Sequence, residues 1–514
     1  MLSTITSGTL YGMECHLIQV EVDVSSGLPC FQMVGLPGSE VREARERVKV
    51  ALRNVGFEQP PLCINVNLSP ADLPKTGTML DLPVAIGVLT AMERIPEEQV
   101  KGTLLLGELG LSGELRPVRG VLPIVKEAAK QGIHKCILPL ENAWEGTLIS
   151  DMEVIGVRTI VEAVTYLQAD QERQQTYVCE KVDLEKMFRR RKPYGKLDFA
   201  DINGQEMLKR AAQVAAAGFH HLLIIGPPGS GKTMLAKRMP TIMPPLSTEE
   251  SLEVSTIYSI SGLLKSENSL IVERPFLNPH HTITGQALAG SGRIPMPGVI
   301  SLAHRGVLFL DELPEFKRET LDILRQPLED KKVQIARSTG TYTYPAATMV
   351  IGAMNPCPCG YYPNREKCRC SSYEVRRYLN RISGPILDRM DICVEAQPME
   401  FQDLESNRKG ESSAQIRRRI LRARKRQEER FREDGITFNA DMGAGEIGKY
   451  CVLGDKEKQF MAQMFESLQL SARGYHKILK VARTIADLAE SEQIEKPHLA
   501  EAICYRQLDK KYWE

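Results

Sequence analysis

The stretch GPPGSGKT, from Gly226 to Thr233, fits the pattern G-x-x-x-x-G-K-[ST]. Its residue types suit the gripping of phosphate. Gly226, Gly229 and Gly231 let backbone N–H groups approach phosphate oxygens, with Pro227, Pro228 and Ser230 completing the loop. Lys232 would reach the β- and γ-phosphates of ATP, and Thr233 would offer its hydroxyl to Mg²⁺. LLII precedes as a strand and MLAKRM follows as a helix, the context this motif requires. Without that context the stretch would be only a glycine-rich turn.

A second stretch, GVLFLDEL, carries Asp311 and Glu312 to the end of an apolar strand. Asp311 is positioned to hold the Mg²⁺ shell and Glu312 to polarise an attacking water. Many strands end in acids. Downstream of a phosphate-loop lysine the pair gains its meaning.

A third cluster is NPCPCGYYPNREKCRC, with Cys357, Cys359, Cys368 and Cys370. Two C-x-C pairs could close a tetrahedral thiolate site suited to structural Zn²⁺. C-x-C is tighter than the usual C-x₂-C knuckle, so a loop of free thiols is the alternative.

Three further segments have two readings each. DKKVQIARSTGTYTYPAATMV reads as two strands around Gly340. Lys331, Lys332 and Arg337 could meet nucleic-acid phosphates there, and Tyr342 or Tyr344 could stack on bases. The alternative is a solvent-exposed hairpin whose tyrosines pack across strands. IRRRILRARKRQEERF places Ile416, Ile420 and Ala423 on one helical face, leaving Arg417, Arg418, Arg419 and Lys425 as its wet side or a DNA contact. Adjacent His280 and His281 would point to opposite faces of a strand, which suits packing better than one shared metal.

The elements that position these residues follow from periodicity. In CHLIQVEVDV, Ile18, Val20, Val22 and Val24 alternate with polar residues, the period of a strand with one buried face. Val41, Ala44, Val48 and Leu52 recur at helical spacing. LCINVNL reads as a strand, LPVAIGVLTAMERI as a buried helix and TLLLGELGLSGELRPV as a hairpin. The chain divides into an α/β domain over 1–170, a polar linker over 171–196, a second α/β block over 197–398 and a helical region over 399–514. Arg189, Arg190, Arg191 and Lys192 in the linker read as a solvated charge run, with phosphate contact the alternative. Val481, Ile485 and Leu488 share a helical face near the end, and a final helix follows Pro497.

Bulk numbers set limits. At 514 residues the length predicts about three domains. No apolar run approaches the ~18 residues of a membrane span. Twelve cysteines with no secretory signal predict reduced thiols and a cytoplasmic protein. Net charge is +1, so any nucleic-acid surface must be a local patch.

The phosphate loop paired with the DE strand resembles the AAA+ ATPases, and residues further along agree. ATMVIGAMNP ends in Asn355, matching the family's sensor-1 asparagine. ISGPILDRMDICVE holds Arg389 in a context similar to the arginine finger, and QLSARGYHKILKVART places Arg473 where sensor 2 stands. The longer blocks RPFLNPHHTITGQALAGSG, PGVISLAHRGVLFLDELPEF and YLNRISGPILDRMDI resemble the magnesium-chelatase-like AAA+ proteins of the ComM/YifB type across nearly the whole chain.

That resemblance implies a Lon-protease-like N-terminal domain, an AAA+ core and a helical lid. It also implies an ATP-driven hexameric ring acting on single-stranded or branched DNA, as a branch-migration helicase in natural transformation. Arg389 would reach the neighbouring subunit's γ-phosphate. A porphyrin magnesium-chelatase subunit and a nucleotide-gated scaffold are the competing readings. In the Lon-like segments Met79 stands at the place of the nucleophilic serine and Leu122 at that of the lysine, so proteolysis is not expected. Thr76, Thr78 and Lys126 are the nearest substitutes.

Overall fold

A computed structural model describes residues 1–513 apart from 58–61, 190–196, 266–269, 293, 339 and 399–409. Arg190, Arg191 and Lys192 therefore lie outside the described residues.

The N-terminal region carries β1 (Leu2–Tyr11), β2 (Glu14–Ser26), β3 (Cys30–Val34), β4 (Leu62–Ser69) and β5 (Thr103–Leu105), then the small pair β6 (Glu108–Leu109) and β7 (Leu115–Arg116), then β8 (Lys135–Pro139) and β9 (Glu153–Val157). Seven of these form one sheet in the order β3-β4-β2-β1-β5-β8-β9. The alternation read in β2 is real burial: Ile18, Val20 and Val22 are fully buried. Helix Ser39–Asn54 buries Val41, Ala44, Val48 and Leu52, and helix Asp81–Ala91 is buried along its whole length. Within it Asp81 is held by Arg47, whose Nε donates to Oδ2 at 2.7 Å.

One expectation is corrected here. The cysteines are not all reduced: Cys30 and Cys63 form a disulfide. They are direct partners in the parallel β3–β4 register, with Cα atoms 4.5 Å apart, so strand pairing brings the two thiols together.

Residues 171–189, polar in sequence, are pinned rather than extended. They form short helices Gln171–Gln174 and Leu184–Arg189, and Cys179 N–H donates to Val154 O at 2.8 Å. Val182, Leu184 and Met187 pack around Leu122, Leu148 and Leu270.

The second α/β block carries β10 (Leu222–Ile225), β11 (Phe276–Leu277), the pair β12 (Gly290–Ser291) and β13 (Met296–Pro297), β14 (Val307–Leu310), the pair β15 (Lys332–Arg337) and β16 (Gly340–Pro345), β17 (Met349–Met354) and β18 (Ile392–Glu395). Five strands make a parallel sheet in the order β11-β14-β17-β10-β18. β10, β14 and β17 are buried at every residue, as strands covered on both faces must be. Because all five run the same way, loops after them gather on one edge and loops before them on the other.

The tail is helical. Helices Ser413–Arg430 and Ala472–Leu488 contribute Ile416, Ile420, Ile478, Val481 and Ile485 to the same core as Leu222, Ile351 and Ile392 of the sheet. Lid and sheet thus share one apolar interior. The protein is α/β, with an N-terminal α/β domain, a parallel-sheet core and a C-terminal helical lid.

The N-terminal domain also touches the core. Ser259 O accepts from Gly120 N–H at 3.0 Å, and Ser259 Oγ donates to Glu145. Burial pushes the Glu145 carboxyl up from its ordinary range, against its bonds from Ser259, Asn142 and Leu122.

Candidate functional site

The phosphate loop leaves β10 at its C-terminal end. Gly229 and Gly231 take φ of +77° and +84°, a region in which glycine carries no Cβ penalty. Gly226 lies so close to β18 that a Cβ there would come within 2.7 Å of Ala396 O. Helix Lys232–Ile242 starts at Lys232, so the loop runs into a helix N-terminus, whose first-turn backbone N–H groups suit phosphate. Ser230 Oγ donates to Pro227 O at 2.8 Å and braces the turn.

Lys232 is folded back into this loop. Its ammonium donates to Gly226 O at 2.7 Å, Pro227 O at 2.8 Å and Asn355 Oδ1 at 3.1 Å. Burial pushes its pKa down to about 8, against the pull of Asp311. Thr233 Oγ1 donates to Asp311 Oδ2 at 2.8 Å. A hydroxyl and a carboxylate so placed are hard oxygen donors, the chemistry that Mg²⁺ takes.

Asp311 follows β14, and Asn355 follows β17. Since β10 lies beside β17 and β17 beside β14, the three C-terminal ends converge on one edge. Glu312 adopts φ of +51°, unusual for a residue with a Cβ, and its N–H donates to Asp311 Oδ1 at 3.0 Å. Its carboxylate Oε2 sits 3.3 Å from His281 Nδ1.

The histidines depart from expectation. They lie in the loop after β11 rather than in a strand, with ring centroids 4.1 Å apart. β11 pairs with β14, so the loop following it reaches the acid that follows β14. Only that strand adjacency reveals the contact of His281 with Glu312.

Arg389 and Arg473 are elsewhere. Arg389 precedes β18, so it lies at the N-terminal edge of the sheet. β10 and β18 pair from Leu222↔Ile392 to Ile225↔Glu395, and such a strand spans roughly 13 Å. Arg389 Nη2 binds Glu329 Oε2 at 2.7 Å, and Arg473 binds Glu329 Oε1. The hydrogen bond from Arg389 holds the Glu329 carboxyl below its usual range. Nothing in the sequence pointed to Glu329.

The helix bearing Arg473 is anchored on that edge one turn later. Lys477 Nζ donates to Met390 O at 3.0 Å and pairs with Asp391 at 3.1 Å. Burial alone would raise the Asp391 carboxyl, but the Lys477 charge beside it holds it well below the ordinary value. Arg389, Arg473, Lys477 and Lys480 line a cavity of about 890 Å³ that shares no residue with the loop 226–233.

The cysteines come together. Cys357, Cys359, Cys368 and Cys370 place their sulfurs within 4.8 Å of one another. This group of four could hold a metal ion.

The hairpin β15–β16 decides between the two readings of its tyrosines. Tyr344 is fully buried and its hydroxyl donates to Pro295 O at 2.5 Å. Tyr342 stacks on Tyr11 of the N-terminal domain with centroids 4.4 Å apart. Neither ring is presented to a base, because each has been taken up by packing. Lys331 pairs with Asp441, while Lys332 and Arg337 stay exposed. On the basic helix, Arg417 donates to Thr241 O at 2.8 Å and Arg419 pairs with Glu411, leaving Arg418 and Lys425 exposed.

In the N-terminal domain Met79 and Leu122 are buried, and the Thr78 hydroxyl donates to Glu108. Lys126 faces a groove with Cys15, His16, Glu127 and Glu253. The hydroxyl and the amine thus have separate surroundings.

Family models agree along the chain. "Magnesium chelatase, subunit ChlI" matches residues 198–404, "Subunit ChlI of Mg-chelatase" matches 20–142 and the subunit's C-terminal model matches 410–506. The chain is 42% identical over 513 residues to Competence protein ComM of Haemophilus influenzae, covering 98% of this chain and 97% of that protein. It is 41% identical over 511 residues to the uncharacterized protein YifB of Salmonella typhimurium, covering 99% and 98%. Over 166 residues it is 27% identical to Lon protease 2 of Bacillus subtilis, 29% of each chain. Among the described residues, no helix is long and apolar enough to cross a membrane.

Proposed function

The chain belongs to the magnesium-chelatase-like ComM/YifB family of AAA+ proteins, and from that premise we propose that it is an ATP-hydrolysing ring motor that moves DNA. The observation that carries this reading is the division of the hydrolysis residues between opposite edges of one parallel sheet. Lys232, Thr233, Asp311, Glu312 and Asn355 stand at the C-terminal edge, Arg389 and Arg473 at the N-terminal edge. One chain cannot bring both sets to one phosphate. A head-to-tail neighbour can, and repetition of that contact closes a ring, taken here as a hexamer.

In each shared site the loop 226–233 cradles the phosphates and Lys232 leaves its backbone carbonyls for them. Mg²⁺, held through Thr233 and Asp311, would neutralise charge on the phosphate oxygens. Glu312 orients and polarises the water, and Asn355 fixes its direction. Arg389 and Arg473 exchange Glu329 for the neighbour's γ-phosphate. A finger of this kind contributes roughly 10³–10⁵ in rate.

DNA is proposed as the substrate from full-length likeness to a competence protein, and the activity as branch migration during recombination in natural transformation. Exposed Lys332 and Arg337 on the hairpin are the phosphate contacts this reading favours. Cys357, Cys359, Cys368 and Cys370 are assigned a structural Zn²⁺, since four gathered soft sulfurs suit it.

ATP turnover tests the function. It is measured without DNA, with single-stranded DNA, with branched DNA, and with porphyrin plus Mg²⁺, using Glu312→Gln as the blank. Stimulation by DNA together with strand movement is expected. Indifference to every DNA form with a response to porphyrin would instead mark a chelatase subunit.

A further inference from the structure

We propose that the zinc at Cys357, Cys359, Cys368 and Cys370 is a strut under the phosphate-binding loop, so that affinity for ATP depends on metal occupancy. The inference rests on the zinc assignment above and goes on to what the metal controls.

The sulfurs are arranged for the ion. Cys357 Sγ lies 3.3 Å from Cys359 Sγ and 3.7 Å from Cys368 Sγ, and Cys359 lies 3.6 Å from Cys368. A tetrahedral zinc with bonds of about 2.3 Å separates its sulfurs by about 3.8 Å. Gly360 N–H and Tyr362 N–H donate to Cys357 Sγ at 3.2 and 3.4 Å, the outer-shell pattern that orients a ligand. Cys357 and Cys368 are buried in the core that also holds Met354 and Tyr378.

The cluster is joined to the nucleotide site on two sides. Cys357 comes two residues after Asn355, which accepts from Lys232. On the other side Gly360 packs against the ring of Pro228 in the phosphate loop. A Cβ at position 360 would stand 2.5 Å from Pro228 Cδ, and Gly360 has φ of +87°. The segment between the cysteine pairs cannot hold this shape by burial: Tyr361 and 363–367 are exposed. Fixing those residues costs backbone entropy, which metal binding offsets. Loss of the ion frees Gly360 from Pro228 and loosens the loop that must receive the phosphates.

Zinc content and nucleotide affinity are measured separately on the full-length protein, purified without chelator. Metal analysis is expected to give about one zinc per chain. A zinc-selective chelator that spares Mg²⁺ should weaken binding of a fluorescent non-hydrolysable ATP analogue about tenfold, and added zinc should restore it. Gly360→Ala should keep its zinc and its melting temperature to within a few degrees yet bind the analogue several-fold more weakly. This variant decides the matter where chelation also unfolds the chain. Protein free of zinc would overturn the zinc assignment and the strut together. Zinc present, with affinity unchanged in Gly360→Ala and after chelation, would overturn the strut alone.

Discussion

Arg389 holds Glu329 at 2.7 Å, on the edge of the sheet away from the phosphate loop. Arg473 takes the carboxylate's other oxygen, so the two arginines proposed to complete a neighbour's site are held together within the chain. Neither reaches Lys232's loop in the same chain. The pair is the surface by which one subunit would complete another's site.

Arg389→Ala is therefore expected to lower ATP turnover by roughly 10³ or more while leaving ATP binding nearly intact. Mixing it with Glu312→Gln protein should recover part of the activity. Interfaces then form in which an intact Glu312 faces an intact Arg389. Steady-state turnover across mixing ratios checks this, and two inactive proteins that stay inactive together would contradict a shared site.

Lys232 gives a pH signature. Its pKa is lowered to about 8, because burial disfavours its charged form by more than Asp311 favours it. Bound phosphate favours the ammonium, so binding takes up a proton once the pH exceeds that value. Affinity for ATP should be flat below pH 8 and fall up to about tenfold per unit above it. Calorimetry in buffers of different ionisation enthalpy reads the proton directly. Lys232→Arg, charged throughout, should lose this dependence whatever its residual affinity.

Asp391 governs acid stability on the arginine edge. Despite burial its carboxyl is held well below the ordinary range by Lys477. A depressed carboxylate contributes stability that is fully present above its unfolded pKa and lost as pH falls through its folded one. Asp391→Asn should cost about 3–5 kcal/mol near neutral pH, since it leaves Lys477 buried and unpaired. The difference from wild type should shrink only in strong acid. Denaturant unfolding at a series of pH values measures both.

The hairpin separates packing from DNA contact. Tyr344→Phe removes the bond to Pro295 O and should cost roughly 1 kcal/mol of stability with DNA affinity unchanged. Lys332→Ala with Arg337→Ala should leave the melt unchanged, weaken DNA binding regardless of sequence and reduce its salt dependence by about two counterions. A weaker melt in the second variant, or lost DNA binding in the first, would reverse the assignments.

Much of this protein was legible residue by residue. A phosphate loop, an acid pair at a strand end and four cysteines in two close pairs are local patterns, and local chemistry constrains them within a few positions. Alternation in β2 and helical spacing at Val41, Ala44, Val48 and Leu52 were equally direct, because burial of one face imposes the period. The disulfide between Cys30 and Cys63 was not legible, since it depends on which strands pair and in what register. The tyrosines of the hairpin stayed open between two readings for a related reason. Aromatic rings beside basic residues suit both a base and a protein neighbour, and only packing showed Tyr11 and Pro295 already in place.

Sequence by itself singled out the groups proposed to split a nucleoside triphosphate. Tertiary structure alone decided where they stand: Asn355 and Asp311 beside Lys232 and Thr233, Arg389 and Arg473 together on Glu329 across the sheet. The physical reason is strand order and direction. Parallel pairing sends every strand's C-terminal end to one edge and its N-terminal end to the other, so a residue's side depends on whether it precedes or follows its strand, and its neighbours depend on which strands lie adjacent.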